Sequence, residues 1–139
     1  MPNKPSIRAF FFIFVALLFV SAPSRAQQLT SDDVLTPISK YIAKGDAQKL
    51  SAWFSSSIEV GIFQNDAPTS KAQARQIMKT FFKNYPPRSF EFIHKASKGN
   101  GKYAIGTLNA GGENFTITIF TAYNEKYGDF RIQQISISR

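Results

Sequence analysis

Apolar residues follow three rhythms along this chain, and each predicts a different kind of segment. The first has no alternation at all. Ala9 to Val20 is an unbroken apolar run of twelve residues, with Lys4 and Arg8 before it and Ser21-Ala22-Pro23-Ser24-Arg25-Ala26 behind it. A positive flank, a short apolar core and small residues at Ser24 and Ala26 are the parts of an export signal cleaved after Ala26. Twelve helical residues rise only ~18 Å, well short of a ~30 Å hydrocarbon core, so a stable membrane anchor is not expected after cleavage. The expected organisation is a signal peptide at 1–26 and one domain at 27–139, exported to the periplasm or secreted.

The second rhythm is helical. Val34, Leu35, Ile38, Tyr41 and Ile42 share one stripe between Ser31 and Lys44, with Asp32 and Asp33 at the positive end of the helix dipole. Pro37 fits a first turn and otherwise a kink. Gly45 supplies a stop, and Asp46 caps a second helix from Ala47 to about Phe54, presenting Leu50, Trp53 and Phe54. A third helix begins at the capping box Ser70-Lys71-Ala72-Gln73 and runs to about Tyr85, where Pro86-Pro87 ends it. Its apolar stripe is Ala74, Ile77, Met78, Phe81, Phe82 and Tyr85. Lys71, Arg75, Lys79 and Lys83 recur every four residues beside it, as a solvated face or a surface for anions.

The third rhythm has a period of two. Ser57 to Phe63 alternates as a strand, and Asn65-Asp66-Ala67-Pro68 reads as a turn. After the long helix come four more strands. Arg88 to Lys98 places Phe90, Phe92, His94 and Ala96 on one side, Gly99-Asn100-Gly101 turns, and Lys102 to Ala110 returns. Asn114 to Tyr123 carries Phe115, Ile117 and Ile119 inward. In the last strand the apolar positions pass from Phe130 and Ile132 to Ile135 and Ile137, so the phase changes across Gln133-Gln134 and predicts a β-bulge. Helices first and strands afterwards make an α+β domain, with N-terminal helices packed on a curved, mainly antiparallel sheet.

The stretch Tyr41-Ile42-Ala43-Lys44-Gly45-Asp46-Ala47, with Leu50, Trp53-Phe54 and the strand Ile58 to Phe63, resembles the nuclear transport factor 2-like fold, also called cystatin-like or cone-shaped. The resemblance extends over residues 29–139. Ser70 to Gln73, the pair Phe81-Phe82, the Phe90-x-x-x-His94 strand and Ile105-Gly106 are similar to a family of small exported bacterial domains of unknown function. That resemblance implies a cone of helices closed by a sheet, but no particular reaction, because the fold hosts isomerases, dehydratases, hydrolases and non-catalytic modules. The ketosteroid isomerases on this fold place an aspartate just after the start of the first strand. Here Gly61 stands roughly at that position, and Tyr41 lies off the spacing of their catalytic tyrosine. Isomerase chemistry does not carry over.

Composition narrows the chemistry further. The 139 residues contain no cysteine and one histidine, which removes disulfides, thiolate metal sites and a cysteine nucleophile. Of 17 basic residues, Lys4, Arg8 and Arg25 belong to the leader, leaving 14 against 9 acidic ones. A modest positive balance outside the cytoplasm suits anionic envelope components, and no nucleic-acid motif is present. Gly99-Asn100-Gly101-Lys102-Tyr103-Ala104 imitates a dinucleotide fingerprint but joins two strands, so no cofactor is expected.

His94 is the one histidine of the chain, and its expected neighbours Phe90 and Phe92 suit an apolar guest. Glu59 alternates away from Ile58 and Val60; pointing inward beside His94, it would complete a carboxylate–imidazole pair. The expected function is therefore an exported, non-catalytic module that binds a small apolar ligand or an envelope protein through its cone or sheet face. His94, Phe92, Phe90, Tyr41 and Glu59 are its candidate ligand-binding residues. The alternative is a cofactor-independent lyase or isomerase using His94 in the cone pocket. A homodimer through the sheet is the expected self-association.

Overall fold

The computed structural model describes residues 31–139; the segment 1–26 read as a signal peptide, with its expected cleavage after Ala26, lies outside them. Helix α1 spans Ser31–Lys44 and runs through Pro37. Val34, Leu35, Ile38 and Ile42 are buried along its inner stripe. Gly45 ends the helix at φ 67°, with Gly45 N donating to Ile42 O at 3.0 Å and Asp46 N to Tyr41 O at 2.9 Å. These two bonds satisfy the last carbonyls in the manner of a Schellman motif.

Helix α2, Ala47–Ser51, is shorter than its pattern predicted. Asp46 caps it, accepting from Lys49 N at 3.0 Å. The helix stops because the sheet captures the chain: Ile132 N donates to Trp53 O at 2.7 Å, and Phe54 already pairs with Ile132. Strand β1 is thus Phe54–Ile62, with Phe54 fully buried. The segment read as a turn at 65–68 partly belongs to a short strand, β2, Ala67–Ser70, antiparallel to β1. It is an edge strand, which is where Pro68, lacking an N–H, is tolerated.

Helix α3, Lys71–Asn84, starts as predicted, with Ser70 Oγ accepting from Gln73 N at 3.1 Å. Strands β3 (Pro87–Lys98), β4 (Gly101–Ala110), β5 (Glu113–Asn124) and β6 (Asp129–Ser138) complete a six-stranded sheet of order β2-β1-β6-β5-β4-β3. Only the β1–β6 pair is parallel. The inner face buries Ala104, Leu108, Phe115, Ile117, Ile119, Ile132, Ile135 and Ile137 together with the inner faces of α1, α2 and α3.

Two bulges decide which side chains reach that core. On β6, Phe120 pairs with Gln134 and Thr121 with Ile132, so Gln133 is the extra residue at the predicted place. It lets Ile132, Ile135 and Ile137 all point inward despite their change of phase. On β3, Phe92 pairs with Gly106 but His94 with Ile105, so Ile93 is extra. The unbroken even-numbered pattern of Phe90, Phe92, His94 and Ala96 carries no mark of this second bulge. Paired residues share a face, and Gly106 lies on the inner one, Ile105 on the outer. His94 and Ala96 therefore do not continue the face of Phe90 and Phe92. They lie on the outer side of the sheet.

Candidate functional site

A cleft of about 410 Å³ opens where the end of β1 meets one side of α3. Helix geometry explains its lining. Residues four apart stack on one face, so α3 presents parallel stripes. Ile77, Phe81 and Tyr85 form an apolar stripe, and Gln76, Thr80 and Asn84 form a neutral hydrogen-bonding stripe beside it. Ile62 and Phe63 close the opposite wall.

Phe63 is the unusual residue here. Its φ of 59° lies in the left-handed region, an outlier for a bulky side chain that costs ~1–3 kcal/mol. Three kinds of contact hold it there. Its N–H donates to Ile137 O at 2.9 Å. Its ring meets Phe81, Tyr85 and Phe115 with centroids 6.2, 6.1 and 5.6 Å apart. The Arg139 guanidinium lies 4.1 Å from the ring centroid. Arg139 also donates to Tyr85 Oη at 3.1 Å and pairs with Glu113 at 3.6 Å. Even so, 39% of Phe63 is exposed.

Chemically, the cleft offers apolar area, two side-chain amides, a hydroxyl and a phenol. None of its eight lining residues is a carboxylate, imidazole or amine. It can bind and orient a guest, but it holds no acid–base pair of the kind proton transfer at carbon requires.

The residues singled out from sequence lie elsewhere and apart. Phe90 and Phe92 do face inward, edge to face with centroids 4.8 Å apart, and pack against the core. They fill space more than they enclose it: the Phe90 ring covers Gly106, and the groove beside the pair, with Leu35, Thr36, Ser39 and Lys95, holds about 280 Å³. Tyr41 is half-buried on α1 against the core. His94 is exposed on the outer face of β3, and Glu59 is exposed on the outer face of β1. They are separated by β6, β5 and β4, so four strand spacings, ~19 Å, lie between them. The carboxylate–imidazole pair is not formed, and the pocket chemistry assigned to His94 loses its partner.

Gly61, noted for its place in the isomerase pattern, has a structural task. The Asp66 carboxylate folds back over it and accepts from Ser136 Oγ at 2.6 and 2.7 Å and from Gln134 Nε2. Helical periodicity places Ile77, Phe81 and Tyr85 on one stripe. Phe63 as the facing wall leaves no mark in the sequence, because only the tertiary arrangement brings the end of β1 against α3.

Residues 35–138 match the family model of a domain of unknown function, DUF4783. None of the curated proteins compared matches the chain. A DUF4783 family protein from Bacteroides uniformis superposes with a TM-score of 0.71 at 23% identity, covering 76% of this chain and 96% of its own. One from Bacteroides ovatus gives 0.68 at 22% identity, covering 73% and 90%. A nuclear transport factor 2-like protein of unknown function from Cytophaga hutchinsonii gives 0.56 at 10% identity, covering 81% and 92%. With the unclosed mixed sheet backed by three helices, these likenesses make the fold nuclear transport factor 2-like. The chain belongs to the DUF4783 family.

Proposed function

We propose that this domain is an exported, non-catalytic module that takes a small, largely apolar ligand in the cleft between β1 and α3. The observation that carries the reading is Phe63, a strained and partly exposed ring set opposite Ile77, Phe81 and Tyr85. Backbone strain persists only where the surroundings enforce it, and it concentrates at sites with a task. A guest would cover apolar surface that otherwise faces water, and Gln76, Thr80 and Asn84 would orient it through neutral hydrogen bonds. The cleft volume falls within the range of small-molecule sites, roughly 300–1,000 Å³. Export rests on the leader at residues 1–26.

The test uses protein expressed with its own leader and recovered from the periplasm. Its intact mass should correspond to a chain beginning at Gln27. Phenylnaphthylamine, a neutral probe whose fluorescence rises in apolar surroundings, should bind saturably. Thr80→Trp, which places a large side chain in the cleft from an exposed helix position, should abolish that signal without altering the circular dichroism. An undiminished signal in Thr80→Trp would remove the cleft as the site. An intact Met1 in the membrane fraction would remove export and release.

A further inference from the structure

We infer that the ligand of this cleft is an amphipathic anion, a medium-chain carboxylate whose head group leaves the apolar cleft toward Arg75 and Lys79. The inference rests on the proposed cleft and adds the chemical class of its guest. Its basis is a second cavity, of about 600 Å³, between the α1–α2 corner and α3. Gln76 lines both cavities, so they adjoin at that side chain. Their chemistry differs sharply. The first is apolar and neutral, whereas the second gathers Lys44, Arg75 and Lys79 around one carboxylate, Asp46.

Asp46 Oδ1 accepts the Lys49 N–H that starts α2, and its single negative charge offsets at most one of the three cations. Among the described residues the ion pairs are Arg131 with Asp129 and Arg139 with Glu113, so neither Arg75, Lys79 nor Lys44 has an acidic partner there. Three cations turned toward one cavity repel one another, and an anion entering it relieves that repulsion. The opposite end of the cleft offers no equivalent. Arg139 lies on the Phe63 ring there with its charge matched by Glu113.

Dimensions agree with the charge. Gln76 to Asn84 spans ~12 Å of helix, room for a medium-length acyl chain along Ile77 and Phe81, with its carboxylate at the Gln76 end. Arg75 and Lys79 stand one turn apart on the next stripe of the same helix, so both can reach one head group.

The experiment is competition against bound phenylnaphthylamine by decanoate and by decanol, which share the chain and differ in charge. Decanoate should displace the probe at a concentration about three- to tenfold lower than decanol, as two screened surface ion pairs allow. That advantage should shrink as salt is raised. The double variant Arg75→Gln/Lys79→Gln should bind the probe as before and treat decanoate and decanol alike. Equal displacement by the two in the unmodified protein would overturn the inference while leaving the apolar site standing. So would an advantage that survives in the double variant, or one that disappears instead in Arg139→Gln. Failure of the probe itself to bind would overturn the cleft, and the inference with it.

Discussion

Replacing Gly61 with alanine should destabilise the domain by about 2–5 kcal/mol, combining overpacking with the loss of hydrogen bonds to a carboxylate. Gly61 is buried on β1 and pairs with Ser136 of β6. A Cβ added there would point into the Asp66 carboxylate and would also lie 2.7 Å from Gln64 O and 3.0 Å from Asp66 N. A flexible side chain could swing aside, but two of these three atoms are backbone. The turn between β1 and β2 must therefore move, and Asp66 must release Ser136 and Gln134.

The same mechanism predicts non-additivity. Asp66→Ala alone should cost ~1–3 kcal/mol, because it strands the Ser136 and Gln134 donors without forcing the backbone. Combined with Gly61→Ala, it removes the side-chain atom that the new methyl group would meet and leaves only the two backbone approaches. The double variant should therefore be more stable than the sum of the single effects implies, by at least ~0.5 kcal/mol in urea unfolding. Strict additivity, or a Gly61→Ala variant as stable as the parent, would show that the turn yields freely. A large effect would also explain glycine at this place in the first strand: the residue makes room for a carboxylate from the following turn instead of supplying one of its own.

What could be read from the sequence was whatever depends on local periodicity. The stripe of α1, the Ser70 cap of α3 and the bulge at Gln133 all leave marks within a few residues, as caps, stops or a change of phase. The bulge at Ile93 left no such mark. Phe90, Phe92, His94 and Ala96 keep an unbroken even-numbered pattern, and alternation alone then puts His94 with the phenylalanines. Only the pairing with β4, where Gly106 and Ile105 are consecutive partners of Phe92 and His94, shows the phase turning over. The early start of β1 was hidden for a related reason. Trp53-Phe54 completes a helical stripe with Leu50, but the long-range bond from Ile132 N to Trp53 O outweighs that local preference. The candidate site follows the same division. The apolar stripe of α3 was visible at i, i+4 and i+8, while the polar stripe Gln76, Thr80 and Asn84 matters only because of its facing wall, a strained residue at the end of a distant strand, which is a tertiary fact.

Phe81→Ala carries the other large effect, an expected loss of ~3–5 kcal/mol, as for other buried aromatic side chains. Phe81 is only 4% exposed, and its ring lies within 5.1 Å of Tyr85, 5.5 Å of Phe115, 5.8 Å of Phe82 and 6.2 Å of Phe63 between centroids. Truncation would remove the shared member of four aromatic contacts and leave a void that Phe115, fixed in a central strand, cannot easily fill. Lys79, two residues away on the same helix, is exposed, and Lys79→Ala should change stability by less than ~0.5 kcal/mol. The contrast tests the orientation of α3, since a helix rotated to bring residue 79 inward would equalise or reverse the two losses in urea melts. It also bears on the cleft. Phe81 packs edge to face against the Phe63 ring and lines the cleft itself, so Phe81→Ala should weaken phenylnaphthylamine binding even where the variant remains folded, while Lys79→Ala leaves the neutral probe unaffected. Unchanged probe affinity in folded Phe81→Ala would mean that the exposed ring of Phe63 does not form the wall of a binding site.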